Sequence, residues 1–246
     1  FMNLCLPMGT QASNGGNVSP DPNFQIYLCF GQSNMESNAA IEDIDRTGVN
    51  PRFMAMYAVD DEKAGWKKGQ WHTAVPPQAR PDTGLTPVDY FGRKMVDNLP
   101  DSIKVGTITV AVGGASIDLF DKRTCKAYLK KQPDWMKNFA SKYNGNPYAR
   151  LIELAKIAQK QGVIKGILLH QGETNNGDAN WPNRVKTVYN DILKELHLKA
   201  EDVPLLVGET VQKDQGGSCW QHIAIVDDIA KTIPTAHVIS SKGCPQ

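Results

Sequence analysis

The chain has 246 residues, of which 41% are hydrophobic and 22% charged, and its formal net charge is +1. This length supports one α/β domain with a sizeable core, and the composition is too polar for a membrane protein. Phosphate recognition needs a clustered basic excess that no stretch supplies, so a nucleic-acid-binding surface is not expected. The expected partners are therefore small and neutral.

The first 22 residues are predicted to precede the folded domain. A short apolar run within residues 1–9 leads into Thr10–Ala12, which is typical of the end of a secretory signal with a small-residue cleavage site. The stretch Ser13–Pro22 has the composition of a linker. We therefore interpret residues 1–22 as a signal-peptide remnant and linker, and expect a secreted or periplasmic protein. A disordered leader is the alternative.

Residues 23–246 read as one domain without an internal repeat or linker. Several apolar runs in it are too continuous to face water on one side, which is typical of strands in a parallel sheet. Six runs are predicted to be strands: Phe24–Phe30, Phe53–Val59, Ile103–Val112, Ile164–His170, Leu205–Glu209 and His237–Ser240.

Amphipathic stretches between these runs are predicted to be helices. Thr86-Pro87 is a start pattern, with Thr as N-cap and Pro at the first helical position, and this helix is expected to run to about Asn98. Asn146-Pro147 opens another helix, which Gly162 ends. The alternation predicts an α/β fold with a mostly parallel central sheet covered on both faces. Two further helices are expected over Val185–Leu196 and Cys219–Lys231.

Three loops that follow predicted strands are rich in Gly and short polar residues. They read GQSNM (31–35), GGASI (113–117) and HQGETN (170–175). In an open parallel sheet the binding site lies at the carboxyl ends of the strands, so the three loops are expected to converge on one rim. This convergence carries the functional prediction, because any one of the loops alone is a weak indication.

Ser33, two residues after Gly31, is the candidate nucleophile. Such a Ser needs the start of a helix, where backbone N–H groups face the developing oxyanion, and a base within hydrogen-bond reach. The alternative is that Ser33 or Asn34 caps that helix. Gly113 and Gly114 let a backbone N–H approach a substrate closely, although tight strand–helix packing explains them equally well.

Gln171 offers an amide donor at the end of a strand, with a hydrogen bond that pins its loop as the alternative. The sequence lacks G-x-S-x-G, so the nucleophile elbow of lipases is not the model. The five cysteines share no C-x-x-C or Cys/His ligand spacing. No metal site and no cofactor are predicted.

In order and spacing, these loops resemble three blocks of the SGNH-type carbohydrate acetylesterases, which include sialate O-acetylesterases and acetylxylan esterases. The resemblance covers nearly the whole chain from Phe24 onward. It implies a three-layer αβα sandwich, and a serine enzyme that removes acetyl groups from sugars through an acyl-enzyme.

The resemblance also implies roles for individual residues. Ser33 would be the nucleophile, and the oxyanion hole would consist of its own N–H, the N–H of Gly113 or Gly114, and the side chain of Gln171. Glu173 would hold its loop or orient the catalytic His, and we favour the structural role. The supporting residues are Gln32, Asn34 and Glu173.

One block of that family is missing. The family ends on an Asp-x-x-His block whose His is the general base, and the sequence contains no such motif. Because the chain also begins without Met, we expect a fragment cut at both ends. His170 is expected to turn to the opposite side of its strand from Gln171. The remaining histidines are interpreted as solvated or buried in the core: His72, His197, His222 and His237.

Cys219 and Cys244 are predicted to form a disulfide if the protein is exported, with two unpaired thiols as the alternative. The stretch WKKGQWHTAVPP (66–77) is the best candidate for a wall that contacts substrate. One of four tryptophans in predicted loops or near helix starts is expected to reach the site: Trp66, Trp71, Trp181 or Trp220.

The leading hypothesis is a secreted carbohydrate O-acetylesterase that acts on an acetylated carbohydrate, with neither nucleic acid nor membrane as a partner. A catalytically silent carbohydrate-binding module of the same fold is the first alternative, because the general base is missing. An SGNH-type lipid or thioester hydrolase is the second. It would be expected to carry a long apolar loop near the site, whereas residues 76–83 are polar and rich in Pro.

Overall fold

The computed structural model describes residues 19–244, and seven strands within this range form one sheet. The strands are β1 Phe24–Gly31, β2 Phe53–Met56, β3 Trp71–Thr73, β4 Lys104–Ala111, β5 Val163–His170, β6 Leu205–Gly208 and β7 Ala236–Ile239. Their order in the sheet is β3-β2-β4-β1-β5-β6-β7. Neighbouring strands are parallel, except that β2 and β3 run antiparallel.

Helices connect these strands. They are α1 Ser33–Glu36, α2 Asp43–Arg46, α3 Pro87–Asn98, α4 Cys125–Lys130, α5 Asp134–Ser141, α6 Pro147–Gln159, α7 Trp181–Glu195 and α8 Ile223–Asp227. Within the described residues, no helix is both long enough and apolar enough to span a membrane. Residues 1–18 lie outside the described residues. They comprise the predicted signal-peptide remnant and the first part of the predicted linker, which runs from Ser13 to Pro22.

Alternate residues of β1 pack against opposite faces of the sheet. Ile26, Leu28 and Phe30 belong to the hydrophobic cluster that α6 and α7 cover. Tyr27 and Cys29 belong to a second cluster, formed with α3 on the other face. The predicted three-layer αβα sandwich is therefore confirmed, and burial on both faces explains the uninterrupted apolar run of β1.

All six predicted strands are present, with ends that differ by a few residues. The sequence does not predict β3, a three-residue edge strand that contains His72 and pairs with β2. The single helix predicted over Cys219–Lys231 is wrong, because α8 spans five residues between 3-10 turns at Trp220–His222 and Ile229–Lys231. Four of those 13 residues are Ile or Val, whose branched side chains disfavour a long helix.

Helix α3 begins as predicted, with Thr86 as N-cap and Pro87 as its first residue. Thr86 and Asp89 form a reciprocal capping box, in which Asp89 Oδ2 accepts from the Thr86 N–H at 2.9 Å. Asp89 Oδ1 accepts from Gln78 Nε2, also at 2.9 Å. The carboxyl group is fully buried, and this burial raises the pKa of Asp89 to about 6.

We expect Asp89→Asn to change how stability depends on pH. Because the folded-state pKa lies above the ordinary value of about 3.9, the carboxyl contributes stability that is fully present below about pH 4 and is lost as pH rises through about 6. Asn keeps a hydrogen-bond acceptor but does not titrate. Across this window the wild type should lose on the order of 1–3 kcal/mol relative to the variant. Melting curves recorded at a series of pH values test this, and parallel profiles would contradict it.

Candidate functional site

The three polar loops meet at one edge of the sheet. Strand β1 lies between β4 and β5, and its last residue, Gly31, is in register with Ala111 of β4 and His170 of β5. The chain therefore leaves the three strands side by side at their carboxyl ends. Gly is needed at position 31 because a Cβ atom there would lie 2.0 Å from the carbonyl oxygen of His170.

Ser33 is the first residue of α1, and it is partly exposed. Gln32 occupies the N-cap position without a side-chain capping bond, and Ser33 Oγ forms no hydrogen bond with any described residue. Asn34 does not cap the helix either, since its Nδ2 donates to Glu173 Oε1 at 2.5 Å. The capping alternative does not describe this geometry, which leaves the Ser33 hydroxyl accessible.

Gln32 ties the loop after β1 to the loop after β5. Its side chain is buried, and its Oε1 accepts from Gln171 Nε2 at 3.1 Å. The same oxygen accepts from the N–H groups of Gly172 at 3.3 Å and Thr174 at 3.2 Å. These contacts fix the residue that immediately precedes Ser33.

Gln171, predicted as an oxyanion donor, is buried behind the site and is only 1% exposed. Beyond its contact with Gln32, its Nε2 lies 2.7 Å from Asn175 Oδ1 and 3.2 Å from the carbonyl oxygen of Ala115. Its Oε1 accepts from Trp181 Nε1 at 2.5 Å. The amide has two hydrogens and already faces three protein acceptors, so this geometry favours a positioning role over contact with a substrate.

We expect Gln171→Ala to lower thermal stability and activity together. Loss of the amide removes one hydrogen bond each from Gln32 and Asn175 and leaves the buried indole N–H of Trp181 without an acceptor, and such an unpaired group costs roughly 1–3 kcal/mol. An oxyanion donor would behave differently, because its loss lowers turnover by about 10²–10³ at unchanged stability. Melting temperature and kcat distinguish the two roles. Asn176→Ala is the control, since Asn176 is an exposed residue of the same loop.

Gly113 and Gly114 lie in the loop after β4, and each has a reason to be Gly. A Cβ atom on Gly113 would lie 2.6 Å from Glu36 Oε2, and the Gly113 N–H is near enough to the Glu36 carboxylate to lower its pKa. Gly114 has a φ of +71°, in the left-handed region that favours Gly. The Gly114 N–H forms no hydrogen bond with a described residue. Of the two predicted donors, Gly114 is therefore the one left free for a ligand.

A buried ion pair between Glu36 and Arg80 lies against the loop after β4. Glu36 is 4% exposed and Arg80 1% exposed, and Arg80 Nη2 donates to Glu36 Oε1. Arg80 Nη1 also donates to the carbonyl oxygen of Ala111, the last residue of β4, at 2.9 Å. Burial raises the pKa of Glu36, and the positive charge of Arg80 opposes that rise. The pair fixes the end of α1 against the end of β4.

Glu173 connects the loop after β5 to α1. Beyond its bond to Asn34, its Oε1 lies 3.7 Å from His170 Nδ1, while its Oε2 is buried without a partner among the described residues. The ring of His170 turns away from Gln171, as predicted, and its Nε2 lies 3.1 Å from the Glu209 carbonyl oxygen. The bond to Asn34 is consistent with the structural role that we favour for Glu173.

His222 lies directly behind the loop after β5. It is fully buried, and a Cβ atom on Gly172 would lie 2.4 Å from its ring. Its ring packs edge-on against Trp181, with centroids 4.6 Å apart, and neither ring nitrogen has a partner among the described residues. Burial lowers the pKa of His222, which favours the neutral form of the ring. Across residues 19–244, no His is hydrogen-bonded to Ser33 Oγ.

Two of the four tryptophans named from the sequence, Trp71 and Trp181, do not line the edge where the three loops meet. Trp71 packs on Phe24, the first residue of β1, with ring centroids 4.9 Å apart. An eight-residue strand separates this end of the sheet from Ser33, which is about 25 Å, so Trp71 is not part of a substrate wall. Trp181 is buried behind Gln171. Trp135, which the sequence analysis does not single out, borders Gly114 and is 49% exposed.

Cys219 and Cys244 are both free thiols, so the predicted disulfide is not formed. Cys219 is half-buried, and its Sγ lies 3.6 Å from the carbonyl oxygen of Glu173. Cys244 is exposed. The thiol of Cys219 thus contacts the site loop itself.

Solved structures share this fold. A protein from Arabidopsis thaliana is 17% identical, with a TM-score of 0.65, and the match covers 92% of this chain and 88% of that one. NanS is 16% identical, with a TM-score of 0.63 and coverage of 93% and 81%. A carbohydrate acetylesterase from Xanthomonas citri is 20% identical, with a TM-score of 0.56 and coverage of 90% and 51%. At these identities the likeness establishes the fold.

The sheet, its three converging loops and the match to a family of esterases together define the class of the protein as a carboxylic ester hydrolase. Specifically, the chain belongs to the family of carbohydrate esterases described as sialic acid-specific acetylesterases, whose model matches residues 23–246. Deacetylation of a sugar is its class of reaction. The resemblance stated from the sequence motifs is confirmed.

Proposed function

We propose that Ser33 is the nucleophile of this esterase, and that it removes an O-acetyl group from a sugar through an acetyl-enzyme. The observation that carries the proposal is the free hydroxyl of Ser33 at the edge where the loops after β1, β4 and β5 meet. The neighbouring polar side chains of Gln32 and Gln171 are committed to hydrogen bonds within the protein. Ser33 differs from them because its side chain has no such partner.

The chemistry follows from this placement. Ser33 Oγ attacks the acetyl carbonyl carbon while its proton passes to a general base. The oxyanion accepts hydrogen bonds from the N–H groups of Ser33 and Gly114, neither of which is bonded to a described residue. The bond between the acetyl carbon and the sugar oxygen then breaks, and that oxygen takes the proton from the base. Water finally hydrolyses the acetyl group from Ser33.

An imidazole is the general base in this proposal. The SGNH resemblance implies a His in an Asp-x-x-His block, which is not in the sequence. Besides the structural role favoured above, Glu173 offers such a base an acceptor, because its Oε2 is buried without a partner among the described residues and its Oε1 is bonded to Asn34, next to Ser33. An imidazole N–H that reached Glu173 Oε2 would satisfy this oxygen beside the nucleophile.

Acetate release tests the proposal. The substrates are O-acetylated sialic acid and an acetylated xylo-oligosaccharide, compared with a long-chain fatty ester and an acyl thioester. We expect acetate from at least one sugar ester, and an acetyl adduct on Ser33 that acid quenching traps and peptide mass spectrometry locates. Sugar binding without acetate release would instead identify the silent binding module. A preference for the long-chain ester or the thioester would identify the lipid or thioester hydrolase.

Export is part of the same proposal and rests on the composition of residues 1–22. Fusion of this segment to a reporter that is active only outside the cytoplasm tests it. Reporter activity is expected, and a reporter retained in the cytoplasm would overturn the proposal of a secreted or periplasmic protein.

A further inference from the structure

Trp135 lies at the rim of the site with half of its surface exposed. It is the second residue of α5, and 49% of it is accessible to solvent. Its indole occupies the space that a side chain on Gly114 would fill, since a Cβ atom there would lie 2.7 Å from Trp135 Cη2. Gly114 supplies one of the two proposed oxyanion N–H groups. The ring therefore borders the place where the acetyl ester would bind.

The ring of Trp135 is held in place by packing against neighbouring side chains. Its edge packs on Phe139, one turn further along α5, with ring centroids 6.0 Å apart and an interplanar angle of 69°. The guanidinium carbon of Arg80 lies 4.9 Å from the centroid of Phe139, and Arg80 is held in turn by Glu36. Trp135 thus packs on Phe139, which in turn packs on Arg80. A ring held in this way loses little conformational freedom when a ligand binds to it.

Other exposed aromatic residues already have partners. The Lys213 ammonium lies 4.7 Å from the ring centroid of Trp220, and the hydroxyl of Tyr90 donates to Asp45 at 2.6 Å. Within residues 19–244, no cation lies over the Trp135 ring and no acceptor binds its indole N–H. A single exposed aromatic residue is common at protein surfaces. What points to a ligand here is the position of the Trp135 ring next to Gly114, without a cation or hydrogen-bond partner among the described residues.

We propose that Trp135 is the stacking platform for the sugar ring whose acetyl group is removed. This inference rests on the function proposed above and deepens it. One face of a sugar ring presents C–H groups, which pack on the electron-rich face of an indole, while the hydroxyl groups stay in water. Trp135 thereby selects acetyl esters of cyclic sugars over acetyl esters of simple alcohols. It is a specificity residue and takes no part in bond breaking.

The test compares two esters that share an acetyl group and differ in the ring. One is O-acetylated sialic acid, and the other is ethyl acetate, which has nothing to stack. In Trp135→Leu, which keeps apolar packing against Gly114, the ratio of kcat/KM for the sugar ester to that for ethyl acetate should fall roughly 10-fold. Trp135→Phe should retain most of the ratio. Tyr90→Ala removes an aromatic residue of similar exposure (47%) away from the three loops, and should leave the ratio unchanged.

Calorimetric titration with O-acetylated sialic acid gives a second readout that does not depend on turnover, provided that Ser33→Ala is introduced into the wild type and into each variant so that the ester is not cleaved. Weaker binding by Trp135→Leu, with binding by Tyr90→Ala unchanged, supports the platform even in a protein that releases no acetate. In that case the proposed esterase function fails and the inference stands. Equal binding by the wild type and Trp135→Leu, or an equal loss of activity on both esters, would overturn the inference while leaving the function of Ser33 intact.

Discussion

Replacement of Ser33 by Ala should abolish acetyl release and leave the thermal stability of the protein nearly unchanged. The Oγ atom is the group that bonds to the acetyl carbon, so its loss should reduce acetate release to the level of a blank without protein. Stability should hold because Ser33 Oγ makes no hydrogen bond with a described residue and Ala favours helix. Acetate release and a melting curve on the same preparation provide both measurements.

Replacement of Ser141 is a matched control, because it shows whether the loss of any Ser in a helix has the same effect as the loss of Ser33. Ser141 ends α5 and is exposed, and its Oγ donates to the carbonyl oxygen of Asn138 at 2.6 Å. Ser141→Ala should keep full activity. An active Ser33→Ala protein would refute the role of Ser33 as nucleophile. A destabilised and still active one would identify Ser33 as a structural residue.

The second large effect is expected from Arg80→Met. This change leaves the buried Glu36 carboxylate without its counter-charge, and breaking a buried pair from one side costs about 3–5 kcal/mol. Activity should fall as well, because the pair fixes α1, which carries Ser33, against the end of β4. Unfolding in urea gives the loss of stability, and kcat/KM on the sugar ester gives the loss of function.

Two further variants test whether the charge of Glu36 causes that loss. The double variant Glu36→Gln with Arg80→Met removes both charges, and it should recover part of the stability that Arg80→Met alone loses. Lys231→Met removes the cation of an ion pair with Asp228 in which both side chains are exposed, and it should have little effect. An Arg80→Met protein as stable as the wild type would show that the buried pair contributes nothing to the fold.

The sequence predicts what depends on local pattern. The apolar run of β1 and the start of α3 at Thr86-Pro87 are visible within a few neighbouring residues. The edge at which the loops converge follows from a rule about parallel sheets and needs no knowledge of side-chain contacts. The placement of Ser33 at the start of a helix, with a neighbouring Gly-rich loop, is predictable for the same reason.

Contacts between distant residues cannot be predicted in this way. Glu36 and Arg80 are 44 residues apart, and nothing near Arg80 marks it as the partner of a carboxylate under the site. The sequence likewise places Gln171 at a strand end but does not reveal that its amide is saturated by Gln32 and Asn175. Trp135 becomes a rim residue through its packing against Gly114, which only the fold determines.

The central position of β1 also affects how the chain can be made. Its two neighbours, β4 and β5, follow much later in the sequence, and β5 ends at His170. During synthesis, β1 therefore remains an apolar segment with at least one unpaired edge until that residue has left the ribosome. Such an edge is a template for association between chains. Truncated forms that end before His170 should accumulate as aggregates, and slower synthesis at low temperature should favour recovery of the whole protein.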